Sequence, residues 1–269
     1  KMQLLEQLGR MSREVARTIM NKSKMLETQN LETFENIQVV REQMEYAIRE
    51  NLMSMKKMAI IDMDHTILRN SFIQSAAQKF GFTKELVDIV TNNANPFIRT
   101  KLIARLLKGR TFGEILAVAD EIDITPNLPE IIANLKKQGY IIGIISDSYD
   151  CITNHLKNKF GFDFTISNEL EFSKSMATGE VKIPSLFLTD DKSQCKHDYC
   201  KLNAMLNVCD KYGVDLKNTL VIGDGENDIC MLKKAGIGVS FCASSPLVDS
   251  IADYVIKSPD FSLVSEILN

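Results

Sequence analysis

The stretch from Met58 to Leu68, MAIIDMDHTIL, decides the fold of this chain. Its apolar run Ala59–Ile61 is typical of a buried strand in a parallel sheet, and two aspartates, Asp62 and Asp64, follow at once. Ligands of open α/β sheets bind beyond the carboxyl ends of the strands. Because neighbouring carboxylates repel each other, this position predicts a bound cation or a shared proton. A capped turn at the start of a helix is the structural alternative.

The composition of the chain excludes several classes of protein. The chain has 269 residues, 45% of them hydrophobic, which is enough for one sizeable core and a smaller appended unit. A net charge of -3 argues against general nucleic-acid binding. No run approaches the roughly 20 apolar residues of a membrane span, and no signal-peptide pattern is present. The six cysteines are scattered, so we expect a cytoplasmic protein. The first residue, Lys1, suggests a piece of a longer protein or a trimmed terminus.

Residues 1–57 predict an N-terminal helical hairpin broken near Asn30. The segment contains no proline and a single glycine, and its apolar residues recur at helical spacing. Two helices that pack on each other or on the core are the favoured interpretation. A coiled-coil dimer contact or a connector to an upstream domain is the alternative.

The remainder alternates strands and helices. A helical insertion, residues 70–126, follows the first strand, and a second buried strand at Tyr140–Ile145 delivers Ser146 and Asp147 at its end. This βαβ order predicts a Rossmann-like parallel sheet with helices on both faces. We expect a core domain of residues 58–69 and 127–269 and a small helical cap of residues 70–126. Further elements are predicted as short strands at 163–166, 170–172, 181–183 and 218–222, and a long helix from His197 to Tyr212.

The last of these strands runs into Gly223–Asp228, GDGEND. A dinucleotide-binding loop would need glycine where Asp228 stands, so that interpretation fails. Carboxylates and an amide, Asn227, take its place. Oxygen-rich ligands at the ends of three strands, with little histidine, favour a hard cation such as Mg²⁺.

These motifs resemble the haloacid dehalogenase (HAD) superfamily of phosphohydrolases over residues 58–257. ISDSYD after the second strand, the TGEVK hairpin and VIGDGENDICMLKKAGIGVSFCA are most similar to the phosphoserine phosphatase-like branch. The resemblance implies Mg²⁺-dependent hydrolysis of a small phosphate monoester through an aspartyl-phosphate intermediate.

The resemblance also implies the role of each residue. Asp62 is expected to be the nucleophile and Asp64 the general acid and base. Ser146 would hydrogen-bond a phosphoryl oxygen. The expected metal ligands are Asp62, Asp64, Asp224 and Asp228. The expected substrate-binding residues are Thr66, Ser146, Asp147, Asn227 and Arg69.

The family's lysine has three candidates in this chain, Lys192, Lys196 and Lys201. Lys201 begins an amphipathic run, and its distance to Asp224 is the one that resembles the phosphoserine phosphatase branch. We therefore assign it to the site, where its ammonium would pair with Asp62 and the transferring phosphoryl group.

Three features depart from the phosphoserine phosphatases or stand outside their motifs. Those enzymes hold the substrate ammonium with a glutamate soon after the first motif, whereas Arg69–Ile73 contains no acid. The cationic run Arg99–Arg110 is either a solvated face or a cap surface for an anionic leaving group. Cys195, His197 and Cys200 have a spacing that zinc could use, but no clear fourth ligand lies nearby, which disfavours a zinc site.

Other functions remain open at this point. Mutases and transferases share these motifs, and a phosphate-sensing or partner-binding domain could retain the fold. Intact Asp62, Asp64, Lys201 and Asp224 argue against an inactive scaffold, and a dehalogenase would lack the acid at Asp64. The expected partner is a small phosphorylated metabolite, with a dimer or upstream-domain contact through residues 1–57 as a further possibility.

Overall fold

The computed structural model describes residues 14–15, 17–18, 39–48, 56–189, 193–197 and 199–268. The chain divides into two compact units, Lys1–Leu52 and Met53–Asn269. In the first unit the described residues are helical, as predicted, and an ion pair of 3.0 Å joins Arg41 to Glu45 one turn later. The predicted break near Asn30 and the packing of the predicted hairpin lie outside the described residues.

The core of the second unit is a seven-stranded sheet. Its strands are β1 (Lys57–Ile61), β2 (Tyr140–Tyr149), β3 (Phe164–Ser173), β4 (Met176–Lys182), β5 (Thr219–Gly223), β6 (Ile237–Phe241) and β7 (Tyr254–Ile256). They lie in the order β4-β3-β2-β1-β5-β6-β7, and all neighbours are parallel except β3 and β4. This is the predicted α/β architecture.

Helices of the second unit are α1 (Phe72–Phe80), α2 (Thr83–Asn92), α3 (Pro96–Leu106), α4 (Phe112–Glu121), α5 (Leu128–Lys137), α6 (Asp150–Phe160), α7 (Leu202–Tyr212), α8 (Ile229–Lys234), α9 (Pro246–Ile251) and α10 (Ser262–Ile267). Short helical turns lie at Met63–Ile67, Ser185–Phe187, Leu216–Asn218 and Glu226–Asp228.

Strand β1 is buried on both faces. Ala59 and Ile61 belong to the cluster that includes apolar residues of α5, α6 and the inserted helices, whereas Met58 and Ile60 belong to the cluster formed with α7, α8 and α9. All four side chains are fully buried. The continuous apolar run therefore reflects a strand covered by helices on each side.

The predicted insertion leaves the sheet and returns to it through a short two-stranded neck. Arg69 N donates to Asp123 O and Thr125 N donates to Ile67 O, each at 2.9 Å, and Leu68 pairs with Ile124 as an isolated antiparallel bridge. Helices α1–α4 lie between these two segments. Both ends of the insertion thus meet beside the carboxyl end of β1.

A second contact attaches the insertion to the β3–β4 hairpin. Gly109 N donates to Ala177 O, Ala177 N to Arg110 O, and Phe112 N to Ser175 O, each at 2.8 Å. The loop between α3 and α4 therefore adds to the edge of the hairpin. The neck and the hairpin together determine where α1–α4 lie over the sheet.

Strand β3 differs from the prediction of two short strands at 163–166 and 170–172. It is one strand that changes partner along its length, first β2 and then β4. Ser167 and Asn168 look like a polar break in the sequence, but both are buried and bonded: Ser167 Oγ lies 2.8 Å from Thr153 Oγ1, and Asn168 Nδ2 donates to Asp147 O at 2.5 Å.

Helix α7 is shorter than the helix predicted from His197. It begins at Leu202 because the preceding backbone makes other hydrogen bonds: Cys200 N donates to Phe187 O at 2.9 Å, and Leu188 pairs with Tyr199. Lys201 consequently lies at the start of the helix, next to the sheet.

Candidate active site

The pairing register of β1, β2 and β5 places the predicted acidic residues at one edge of the sheet. Ile61 lies opposite Ile144 on β2 and Ile222 on β5, so the residues after Ile61 and Ile222 meet at the same level. Asp62 N continues the ladder by donating to Ile222 O at 2.9 Å. The residues that follow β1 and β5, with the end of β2, therefore converge as the sequence predicted.

The turn after Asp62 aims Asp64 toward the insertion. Asp64 is extended, with φ −69° and ψ 136°, and His65 takes a left-handed conformation with φ 56°. The Asp64 carboxylate then accepts a hydrogen bond of 2.5 Å from Phe72 N at the start of α1. Two carboxylates that are close in sequence thus have different surroundings, Asp62 in the sheet edge and Asp64 against the cap.

Lys201 is the centre of a buried ion-paired cluster. Its ammonium lies 2.6 Å from Asp62 Oδ1 and 2.8 Å from Asp228 Oδ1, and its side chain is fully buried. Burial alone would lower the pKa of Lys201, but Asp228 and Asp62 outweigh it and raise the pKa well above its usual value. Lys201 is therefore a permanent cation here. Of the other candidates, Lys196 is exposed and Lys192 lies outside the described residues.

The surrounding acids carry more negative charge than Lys201 can balance. Burial, with Asp228 next, raises the pKa of Asp62, while Lys201 opposes the shift. Burial raises the pKa of Asp64 to about 7, and burial followed by Asp228 raises that of Asp224 to about 7. Each upward shift means that the ionised form is penalised in this protein, and an added cation would relieve that penalty.

The loop Gly223–Asp228 folds back on itself. Gly225 N donates to Asp228 Oδ2 at 3.1 Å, and Asn227 Nδ2 donates to Asp147 Oδ2 at 3.1 Å. A Cβ on Gly223 would lie 2.5 Å from Asp228 Oδ2, which only glycine avoids without a shift. The glycine thus allows Asp228 to approach Lys201.

The carboxylates of Asp62, Asp224 and Asp228 form a group in which the oxygens lie within 4.8 Å of one another. Both oxygens of Asp228 already accept hydrogen bonds, from Lys201 and Gly225. Asp224 Oδ1 accepts one from Thr66 Oγ1 at 3.2 Å. An all-oxygen group with this excess of negative charge fits Mg²⁺, and Asp62 and Asp224 are the members best placed to bind it directly. The Asp64 carboxyl is not part of this group.

A cavity of about 290 Å³ lies between this sheet edge and the insertion. Asp64, Asp147, Asp224 and Asn227 line it from the core, and Arg99 is the cation that lines it from α3. The remaining lining residues are His65, Ser71, Ile73, Gln74, Pro96, Thr100, Ile103, Ser148, Tyr149, Tyr199 and Gly225. A bound molecule would touch both the core and the cap.

The predicted substrate-binding residues divide into three groups. Asp147 and Asn227 line the cavity, whereas Thr66 and Ser146 are fully buried and do not line it. Arg69 lies elsewhere, at a second cavity of about 370 Å³ that it shares with Lys257 and Asp224. The chain leaves the core at Arg69 and turns away through the neck, which explains its separation from the first cavity.

Sequence reasoning missed the support behind Asp147. Asn168 donates to Asp147 O and lies 3.2 Å from the hydroxyl of Tyr199, itself a cavity residue. A single buried polar residue within a strand carries no sequence signal for such a role. The contact is visible only when β3 is placed beside β2.

Comparisons with known proteins agree with this geometry. A family model described as haloacid dehalogenase-like hydrolase matches residues 195–268. The chain is 29% identical to the phosphoserine phosphatase of Methanocaldococcus jannaschii over 211 residues, which cover 76% of this chain and 94% of that protein. It is 28% identical to the phosphoserine phosphatase of Streptococcus thermophilus, covering 80% and 96%.

Among solved structures, the phospho-aspartyl intermediate analogue of a phosphoserine phosphatase superposes with a TM-score of 0.68 at 27% identity. The superposition covers 79% of this chain and 98% of that one. The chain therefore resembles the haloacid dehalogenase-like hydrolases over residues 195–268, and over most of its length it is similar to phosphoserine phosphatases.

Proposed function

We propose that the protein hydrolyses a small phosphate monoester in a Mg²⁺-dependent reaction, through an aspartyl phosphate on Asp62. The observation that carries the proposal is the buried contact of 2.6 Å between Asp62 and the permanent cation Lys201, beside a cavity lined by Asp64. Lys201 orients Asp62 and offsets the charge of an approaching phosphoryl group.

In the first step an Asp62 oxygen forms a bond to phosphorus, and the bond from phosphorus to the ester oxygen breaks. Asp64, whose pKa burial raises to about 7, gives its proton to the departing alkoxide. In the second step Asp64 takes a proton from water, which attacks phosphorus and releases phosphate and the Asp62 carboxylate. We assign to Ser146, which lies near the carboxyl end of β2, the role of a hydrogen-bond donor to a phosphoryl oxygen.

Bound Mg²⁺ would neutralise charge on the carboxylates and on the phosphoryl oxygens. We propose Asp62 and Asp224 as its side-chain ligands. Asp228 would act mainly through Lys201 and Gly225, which occupy its two oxygens. In this proposal the Asp64 carboxyl transfers protons and does not bind the metal. Asp64 would contact the metal only through its backbone carbonyl.

The cap selects the leaving group in this proposal. Residues 70–126 contribute Arg99 to the cavity, whereas the other basic residues of the run do not line it. Lys101 lies over the Phe97 ring at 4.3 Å, and Arg110 lies over the Phe80 ring at 4.2 Å. Arg99 is thus the group that would recognise an anionic part of the leaving group, and the proposed substrate carries a carboxylate or a second anion.

The place of the protein in the cell is also a proposal. Among the helices that the structure describes, none is long and apolar enough to cross a membrane. No disulfide joins any of the six cysteines, all of them in the described part, which agrees with a reducing cytoplasm. A mutase or transferase with the same motifs would transfer the phosphoryl group to a second hydroxyl instead of water. Quantitative release of inorganic phosphate distinguishes the hydrolase.

We expect chelation to abolish phosphate release and added Mg²⁺ to restore it. Mg²⁺ should also raise the melting temperature, because a ligand at about 100 times its Kd stabilises the folded state by about 2.7 kcal/mol. Asp224→Asn should lose most of that increase and most of the activity. Asp249→Asn is the control, since Asp249 lies outside the metal group and bonds to Ser240 and Lys257. Full activity in excess chelator would contradict the proposal.

We expect Arg99→Ala to reduce kcat/KM for carboxylate-bearing phosphate esters by about tenfold to one hundredfold, the value of a hydrogen bond to a charged group. Glycerol phosphate, with a neutral leaving group, should be affected much less. Lys101→Ala removes the same charge from the same helix and should leave both substrates unchanged. Equal losses of kcat/KM on both substrates would show that Arg99 does not recognise the leaving group.

We also expect phosphoserine not to be the best substrate, despite the names of the relatives. Arg69–Ile73 supplies no acid, and two acids that line the cavity are already engaged, Asp64 by Phe72 N and Asp147 by Asn227. An unmatched ammonium would cost several kcal/mol. The measurement is kcat/KM for phosphoserine against sugar, glycerol and carboxylate-bearing phosphates. A tenfold preference for phosphoserine would show that another group binds its ammonium.

A further inference from the structure

Four side chains outside the proposed active site form a compact cluster of sulfur and nitrogen. Cys195, His197 and Cys200 come from the loop before α7, and Cys230 comes from α8. Their ligand atoms all lie within 4.8 Å of one another. Cys230 Sγ lies 3.3 Å from His197 Nδ1, and the Cys200 thiol interacts directly with those of Cys195 and Cys230.

Cys230 is a fourth candidate ligand that sequence reasoning did not find. It lies 30 positions after Cys200 and within the helix that follows the last acidic motif, so nothing in the local spacing joins it to the other three. Three cysteines and one histidine are a standard set of structural zinc ligands. Tetrahedral Zn²⁺, with Zn–S about 2.3 Å and Zn–N about 2.0 Å, places ligand atoms about 3.5 to 3.8 Å apart.

The surroundings of the cluster suit a structural metal. Cys200 is buried, and Leu202 N donates to its sulfur at 3.4 Å, which orients the sulfur toward the other members of the cluster. Cys195 and Cys230 are half-buried and His197 is exposed, which leaves a route for an ion from solvent. The sulfur ligands also separate this cluster from the oxygen group at Asp62 and Asp224, since Mg²⁺ prefers oxygen.

We propose that Cys195, His197, Cys200 and Cys230 bind a structural Zn²⁺ ion. Each cysteine gives its proton to solvent as its sulfur binds, His197 binds through Nδ1, and no oxidation or reduction takes place. With four protein ligands the ion has no open position, so it positions residues and does not itself react.

The site would connect two segments that carry the ion-paired cluster. Cys200 directly precedes Lys201, and Cys230 follows Asp228 by two residues. Zinc would therefore hold the segment before α7 to α8 and maintain the 2.8 Å contact between Lys201 and Asp228. These four residues are positioning residues, and their loss should lower the melting temperature as well as kcat.

The first test is the metal content of the full chain, purified without chelator from zinc-supplemented cells and washed with Mg²⁺. We expect about one zinc per chain in the parent. Cys230→Ala should lose it. Cys209→Ala, a buried cysteine of α7 outside the cluster, and Asp224→Asn, at the oxygen group, should both keep it. Zinc well below one per chain in the parent, or retained in Cys230→Ala, would overturn the proposal.

The second test does not depend on a variant that folds. Co²⁺ exchanged into the parent should give the strong visible absorption of a tetrahedral site and a thiolate-to-cobalt charge-transfer band. The oxygen group cannot produce the charge-transfer band, so the result is independent of the proposed phosphatase mechanism. Absence of that band, or a disulfide among Cys195, Cys200 and Cys230 in peptides mapped without reductant, would overturn the proposal.

Discussion

Asp62→Asn should lose phosphatase turnover by roughly 10⁴-fold or more, the scale seen when a nucleophile is removed. The amide can accept the hydrogen bond from Lys201 but cannot attack phosphorus. Because burial and Asp228 raise the pKa of Asp62, removing its charge relieves an electrostatic penalty and the variant should fold. The measurement is kcat on the best substrate of the phosphate-ester panel, together with the melting temperature.

A trapping experiment separates loss of the nucleophile from general damage. Fluoroberyllate, which mimics a phosphoryl group on a carboxylate, should stabilise the parent and not Asp62→Asn. Asp210→Asn, an exposed acid of α7, should behave as the parent in both assays. Appreciable turnover by Asp62→Asn would contradict the aspartyl-phosphate mechanism.

Lys201→Met should reduce the free energy of unfolding by about 3 to 5 kcal/mol, because it leaves Asp62 and Asp228 buried without their cation. Methionine fills similar space, so the loss reports charge more than volume. Phosphatase activity should fall with it, since Lys201 also offsets phosphoryl charge. Chemical unfolding at neutral pH measures the first effect, and phosphate release measures the second.

The double variant Lys201→Met with Asp228→Asn should recover part of that free energy, because one unpaired charge is removed. It should not recover activity. An exposed pair provides the control: Lys182 lies 3.2 Å from Glu169, with side chains 75% and 53% exposed, so Lys182→Met should change stability by less than about 1 kcal/mol. A Lys201→Met protein as stable as the parent would mean that the buried pair does not hold the two segments together.

The acidic edge of the sheet was predictable from local pattern. A continuous apolar run that ends in Asp62 and Asp64 indicates a strand buried on both faces, and parallel strands present their carboxyl ends together. The structure places Asp62, Ser146 and Asp224 at that edge and buries Lys201 against Asp62. The catalytic and metal roles of these residues remain predictions until the variants are measured.

The cap was predictable only as an insertion. Its helical pattern and its two ends near residues 70 and 126 follow from periodicity and topology. Which cation faces the cavity does not, because the run from Arg99 to Arg110 has similar charge throughout. Contacts of Lys101 with Phe97 and of Arg110 with Phe80 turn those side chains away, and the neck carries Arg69 to another cavity.

By itself, the sequence determined the α/β class, the strand that begins the site and the acids that follow it, since these depend on residue spacing within one element or between neighbouring strands. The tertiary structure alone decided which distant side chains meet: Arg99 over the acidic edge, Asn168 behind Asp147, and Cys230 beside Cys200. The physical reason is that these contacts join segments whose relative placement depends on how loops and helices pack, and no periodicity in the chain records that placement.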